Sequence, residues 1–267
     1  MTTTTDHTAP LAAPPPWDGG EGALPAGYEA PVVGVETEVA VPGLLALDVS
    51  WSMLPALVQA RQALQALIRR MRQEPLVAQH ARIAIVTYAD TAAEVMGFKP
   101  IADPSVDVPE LTARGNGTSY TAGLDQCLRT LEYGVPDLAR AVDGTKQVVH
   151  RPTLFWVSDG QPNTGGDWQV SLDRIRALKF RPNVLAFGFG DADRNVIRAI
   201  ADEGCAFFAD DGQRPADVFD QILRMVLRTM LTVTSGAAGG AASSAVPDPQ
   251  ADPATKGLLA MGPVNVT

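Results

Sequence analysis

From residue 44 to residue 232 the chain alternates between short, uninterrupted apolar runs and longer stretches in which apolar residues recur every three or four positions. The first run is LLAL at 44–47. Over 54–74, Leu57, Leu64, Leu67, Ile68 and Met71 then share one helical face, and Pro55 stands where a first helical turn tolerates a missing N–H. RIAIVTY at 82–88 and a possible edge strand, AEVMGFKPI at 93–101, come next, followed by a helix at 119–133 with Tyr120, Leu124, Cys127, Leu128 and Leu131 on one side. The scheme repeats through TLFWVSDG (153–160), a helix at 168–178 with Trp168, Leu172, Ile175 and Leu178, and NVLAFGFG (183–190). It closes with a helix near 193–203, the strand CAFFA (205–209) and an amphipathic helix at about 215–232, where Arg224 and Arg228 are expected to face water. Such an alternation predicts a doubly wound α/β domain, a mostly parallel central sheet flanked by helices. A parallel crossover needs a helix, and each helix hides part of a sheet face.

Outside this region the pattern disappears. Residues 1–35 are rich in Thr, Pro, Ala and Gly, and residues 234–267 are similar, so both are expected to be flexible tails around one domain at 36–233. On that reading, residues 36–234 alone should melt close to the full chain. No basic segment leads into a long apolar one, and no apolar stretch approaches the roughly 20 residues a membrane helix needs, which predicts a cytoplasmic protein. The net charge of −9, without any run of Lys or Arg, argues against nucleic acid and anionic membrane as partners. Cys127 and Cys205 are far apart and lack metal-ligand spacing, so they read as buried free thiols. His7, His80 and His150 fall in expected tails and loops with no partner at zinc or triad spacing, and are read as solvated.

The candidate chemistry begins where LLAL ends, in the sequence Asp48, Val49, Ser50, Trp51, Ser52. Alone, this is a strand running into a polar turn that caps the next helix. A second segment, GNGTSYTAGL at 115–124, brings Thr118 through a Gly-rich loop to a helix start; Thr118 or Ser119 as N-cap would explain it unaided. Asp159 ends a third apolar strand. In a doubly wound sheet, strand ends at the switch point form the ligand crevice, so Asp48 and Asp159 belong to one rim. Taken together, Asp48, Ser50, Ser52, Thr118 and Asp159 supply only oxygen donors with few charges. That set suits a hard divalent cation, magnesium or manganese. Two carboxylates side by side without a cation would repel each other and raise a pKa.

This constellation resembles the von Willebrand factor A (VWA) family and its metal-ion-dependent adhesion site, over roughly residues 40–232. The resemblance implies that Ser50, Ser52 and Thr118 ligate the ion, with Asp48 and Asp159 in direct or water-bridged contact. It also implies that a protein partner fills the last position with an Asp or Glu carboxylate. Many members have Gly where this chain has Trp51; the indole would stand beside the open position, with Gly117 and Ser119 completing a partner-binding rim. The order PTLFWVSDGQPNTGGDW, then NVLAFGFGDAD, looks like the bacterial, tellurium-resistance-associated (TerY-like) branch. That likeness implies partners in stress-response or signalling operons, including phosphatases and kinases. Asp48→Ala is expected to abolish ion binding and spare the fold, on the view that Asp48 sits on a rim.

An enzymatic alternative is a metal-dependent phosphohydrolase, since haloacid-dehalogenase-type phosphatases keep a nucleophilic Asp after the first strand. These enzymes need a second carboxylate two residues on, and here that position is Ser50, which cannot shuttle a proton near neutral pH as a carboxylate does. GFGDAD at 188–193 lacks a full dinucleotide-binding pattern, and no phosphate-binding G-x-x-x-x-G-K-[ST] occurs. The sequence therefore predicts a non-enzymatic, metal-dependent protein-binding module.

Overall fold

The computed structural model describes residues 37–140, 146–209, 212–238, 255 and 258–260. The central strand, β1 (Thr37–Asp48), pairs in parallel with β2 (Ala81–Tyr88) on one side and with β5 (Thr153–Ser158) on the other. Outward from β2 lies β3 (Ala92–Pro100), antiparallel; outward from β5 lie β6 (Asn183–Gly188) and β7 (Ala206–Ala209), both parallel. Strand β8 (Leu258–Ala260) adds to β7 antiparallel, and β4 (Lys146–Val149) pairs with the first third of β1. The strand order is β3-β2-β1-β5-β6-β7-β8, so the direction of winding reverses between β1 and β5. The doubly wound, mostly parallel architecture expected from the sequence is what the chain adopts.

The helices lie as the apolar spacing requires. A 3₁₀ segment over Trp51–Ala56 leads into α1 (Leu57–Gln73), whose buried Leu57, Leu64, Leu67, Ile68 and Met71 form the expected face. α2 (Pro75–His80) precedes β2; α3 (Tyr120–Leu138), α4 (Trp168–Arg176), α5 (Arg194–Ile200) and α6 (Pro215–Ala238) follow. Successive β1 residues point to opposite faces. Gly43 therefore meets Met230 of α6, while Ala46 pairs beside Trp156, which packs with Tyr120 of α3. Helices α3 and α6 thus cover opposite faces. Polar side chains start three helices: Ser119 accepts from Ala122 N–H, Asp167 from Gln169 N–H, and Asp193 from Asn195 and Val196 N–H.

Several expectations need correction. Helix α3 does not stop before Gly134. Phe98 of β3 packs where a Cβ at 134 would stand, 2.6 Å away, so this glycine marks a close crossing rather than a helix end. β1 begins seven residues before LLAL because β4 gives its first third a partner. The domain boundary at 233 is too early: α6 continues to Ala238, and Leu258, together with Thr255, is fully buried. The remaining expectations about flexible tails fall outside the described residues, as does His7. His80 is buried rather than solvated, its Nδ1 3.1 Å from the Val39 carbonyl, and His150 is half-buried. Both cysteines are buried free thiols, as expected, and Trp156 is a core residue. No helix among the described residues is long and apolar enough to cross a membrane.

Candidate metal centre

Beneath the carboxyl ends of β1 and β5 lies an aromatic floor. Tyr88 stacks on Trp156 at 4.2 Å between ring centres, with Tyr120 edge-on at 5.1 Å from Trp156. The Tyr88 hydroxyl donates to the Val157 carbonyl at 2.8 Å and the Tyr120 hydroxyl to that of Gly160 at 2.9 Å. Burial, above all, holds both phenols well above their usual pKa, so they stay neutral donors. The strand ends are in this way fixed from below.

On that floor the sequence-predicted residues converge. Asp48 is wholly buried. Its Oδ1 accepts the Ser50 N–H at 2.9 Å and its Oδ2 accepts the Ser158 hydroxyl at 2.7 Å. The Ser50 and Ser52 hydroxyls are 3.0 Å apart, and Ser52 donates to Asp159 Oδ1 at 2.8 Å. Thr118 joins them from the third loop. Its Oγ1 lies 3.5 Å, and Ser52 Oγ 3.9 Å, from the point above Gly160 where a Cβ would stand. Ser50, Ser52, Thr118 and Asp159 all line one cleft of about 790 Å³, with Trp51 on its rim. Asp48 does not line it: this carboxylate sits behind the hydroxyls, so the expectation that it stands on the rim is corrected.

Two of the three residues read as partner-facing are not exposed either. Asp90 and Thr164 occupy the space above Gly117, which is buried. Ser119 is buried too, and its hydroxyl is committed to the N-cap of α3 beneath Gly165. Of the three, Trp51 alone is accessible, 54% exposed.

Three further residues hold the site together. Asn163 and Thr118 bond reciprocally: Asn163 Oδ1 accepts the Thr118 N–H at 2.8 Å, and the Asn163 N–H donates to the Thr118 carbonyl at 3.1 Å. Asp90 accepts the Asn116 N–H at 3.0 Å and fills the hollow of the glycine loop, where Gly115 has φ +64° and a Cβ would collide with the carboxylate. Ser158 donates its hydroxyl to one oxygen of Asp48 and so fixes the carboxylate in place. A signal for Asp90 is present in the sequence, as it lies just beyond an apolar strand in the same way as Asp48 and Asp159. Asn163, inside a turn, carried no periodic signal.

Burial pushes the Asp48 carboxyl above its ordinary range despite the hydrogen bonds from Ser50 and Ser158. Asp159 is pushed up to about 6, first by burial, then by the charge of Asp48, with Asp191 adding to it. No lysine or arginine among the described residues lowers either value. Two carboxylates converging with three hydroxyls and no positive side chain form a site whose charge is uncompensated by the protein. A small divalent cation with oxygen preference fits this donor set. Among the described residues no group of three or more His, Cys, Asp or Glu offers a second metal site.

Comparison with known proteins supports this reading of the fold. The von Willebrand factor type A domain model matches residues 44–221, more than half of the chain, and the chain belongs to that family. No curated protein matches it. Among solved structures, proximal thread matrix protein 1 from the mussel byssus, with a zinc-occupied MIDAS motif, is 14% identical with a TM-score of 0.52. That alignment covers 73% of this chain and 49% of the mussel protein. A von Willebrand factor type A protein from Catenulispora acidiphila is 16% identical, TM-score 0.50, with 73% and 43% covered. The pilus adhesin SpaC from Lactobacillus rhamnosus GG, in an open conformation, is 14% identical, TM-score 0.54, with 72% and 30% covered. The chain therefore spans half or less of the length of these relatives, and at such identities the likeness is one of fold.

Proposed function

We propose that the chain is a divalent-cation-dependent protein-binding module without catalytic activity. The observation that carries the reading is the convergence of Ser50, Ser52, Thr118 and Asp159 on one cleft, with Asp48 behind them and no cationic side chain to balance the two carboxylates. Ser50, Ser52, Thr118 and Asp159 would hold the ion, magnesium or manganese by donor type. Asp48 would act through Ser50 and Ser158 by fixing the loop that carries the hydroxyls. The ion, when bound, supplies an electrophilic position open to a carboxylate from outside. The chain's own residues orient the hydroxyl oxygens, and Trp51 limits water on one side of the opening. A partner's Asp or Glu is the matching group, and a charge-assisted contact of this kind can dominate an interface.

A role inside a bacterial cell, in a tellurium-resistance-type or other stress-response assembly with phosphatases or kinases, rests on the sequence resemblance of residues 152–168 and 183–193 alone. Calorimetric titration of the chelated protein with magnesium and with manganese tests the core of the proposal. Wild type should bind one ion, and Thr118→Ala should bind at least about tenfold more weakly, because one ligand of a small set is gone. Equal binding by both proteins would refute it. Magnesium-dependent hydrolysis of a phosphate ester that is lost in Asp48→Asn would instead favour the phosphohydrolase alternative.

A further inference from the structure

Thr118 lies outside every helix and strand, yet it is only 3% exposed, so its main-chain N–H and carbonyl both need partners within the protein. One residue supplies both. Asn163 takes the N–H on its side-chain oxygen at 2.8 Å and gives its own N–H to the carbonyl at 3.1 Å. Two bonds from one residue fix the position of Thr118 and also the turn of its peptide planes. Threonine is branched at Cβ and stiff at χ1, so a fixed backbone leaves its hydroxyl little freedom of aim.

The same turn, residues 160–166, grips the neighbours of Thr118 as well. Thr164 packs on Gly117, its methyl 2.5 Å from where a Cβ would stand, and Gly165, at φ +93°, leaves room for the Ser119 hydroxyl, 2.4 Å from the place of a Cβ. The Tyr120 hydroxyl donates to the Gly160 carbonyl at 2.9 Å, and the Thr121 hydroxyl to that of Gly166 at 2.9 Å. Every residue from 117 to 121 thus meets this turn, and Asp159 leads directly into it. Thr118 and Asp159 are carried on one joined piece. The spacing of such a pair matters differently to different ions. Magnesium takes ligands at about 2.0–2.1 Å in a nearly ideal octahedron, whereas calcium accepts about 2.3–2.6 Å in looser arrangements. Donors held at one spacing favour one ion size; slack donors accommodate both.

We propose that Asn163 is a positioning residue of the metal centre. By clamping the main chain of Thr118 to the turn that follows Asp159, it fixes the spacing of these two donors and sets a preference for magnesium over calcium. The donor set alone does not dictate that preference, since the same side chains on a slack loop would take the larger ion as well. The inference deepens the cation-dependent reading above and rests on it. Asn163 acts through Thr118 and need not touch the ion. It is exposed and has no part in the core, so its substitution should spare the fold.

Calorimetric titration of the full-length, chelator-stripped protein with magnesium alone and with calcium alone tests it. Wild type should bind magnesium the more tightly. Asn163→Ala should lose about tenfold or more in magnesium affinity, the usual effect of removing a group that orients a ligand. Its calcium affinity should fall by less than about threefold, because flexible coordination absorbs the slack. Asn163→Asp keeps an acceptor for the Thr118 N–H and should keep the wild-type ratio of the two affinities, whatever its added charge does to both. In a Thr118→Ala background, Asn163→Ala should leave both affinities unchanged, since the one residue works through the other. Without metal, the melting temperature of Asn163→Ala should stay within roughly 4 °C of wild type. A wild type that prefers calcium overturns the inference. So does an Asn163→Ala protein whose two affinities are unchanged or fall together, or one whose magnesium loss is the same with and without the Thr118 hydroxyl. A wild type that takes up neither ion overturns the cation reading and this inference with it, whereas an unchanged ratio in variants of a protein that does bind magnesium overturns the inference alone.

Discussion

Asp48 has no solvent contact, and both its oxygens are already engaged by Ser50 and Ser158, so its effect on an ion would pass through the geometry of the loop and through its charge, which already reaches Asp159. Asp48→Asn keeps the shape and can keep both hydrogen bonds, because Ser158 can turn its proton to the Gly160 carbonyl 3.3 Å away. It also removes a buried charge. In chelator the variant should melt at or above the wild-type temperature; in excess magnesium both should gain, wild type the more, since the variant keeps the cleft donors and the loop but loses the nearby negative charge. Asp48→Ala, by contrast, orphans the Ser50 N–H in a buried place and should lose about 1–3 kcal/mol, contrary to the expectation that this position is tolerant. Asp159 gives a pH signature. Its folded value near 6 lies above the ordinary 3.8, so the folded state holds the proton more tightly than the unfolded one. The cost of ionising it is fully present above 6 and vanishes below about 4, so its contribution to metal-free stability improves as pH falls through that window. Urea midpoints of wild type against Asp159→Asn, in chelator from pH 4 to 7, should show this difference. Ion affinity should move the other way, weakening below about pH 6 as the proton competes.

Among the elements, α3 shows how local propensity can mislead. Gly134→Ala puts a better helix former into a helix, a gain of up to about 1 kcal/mol in isolation. Phe98 already occupies the space of the new methyl, so thermal denaturation should show a net loss. Most elements were legible in the sequence because strands β2, β5, β6 and β7 are buried along nearly all their length and each long helix carries its buried residues on one side, signals that survive without knowledge of partners. The pieces that were not legible depend on pairing. β4 and the early part of β1 exist because they align with each other, and β8 because β7 offers an edge. The site was legible by the same logic. Asp48, Ser50, Ser52, Thr118 and Asp159 all follow strands or precede a helix, positions that the winding of the sheet gathers. Sequence did not reveal which of them face the cleft, because Asp48 differs from Asp159 only through Ser158 and the serine loop laid over it. Gly117 and Ser119 looked accessible for a similar reason: their cover, Asp90, Thr164 and Gly165, comes from two other loops.

On the scale of the whole molecule, the sheet has a protected edge that depends on the far C-terminal residues. Removing everything after Ala238 takes away β8 and with it the fully buried Leu258, a loss of about 1.5–3 kcal/mol by burial alone. The bared β7 should also pair with other chains, so light scattering should rise as the melting temperature falls. The pairing of β1 with β5 has a different consequence, one of timing. Ser52 bonds Asp159 across 107 positions and Ser158 bonds Asp48 across 110, so no part of the cleft exists until distant halves of the chain have met. Contacts this distant in sequence form late on a folding path, and an ion that needs them cannot seed the fold. Magnesium should therefore leave the refolding rate of the chain unchanged and slow its unfolding, which stopped-flow traces with and without the ion would reveal. The ion would act as a latch closed after assembly, setting how long a finished molecule lasts rather than how fast one is made.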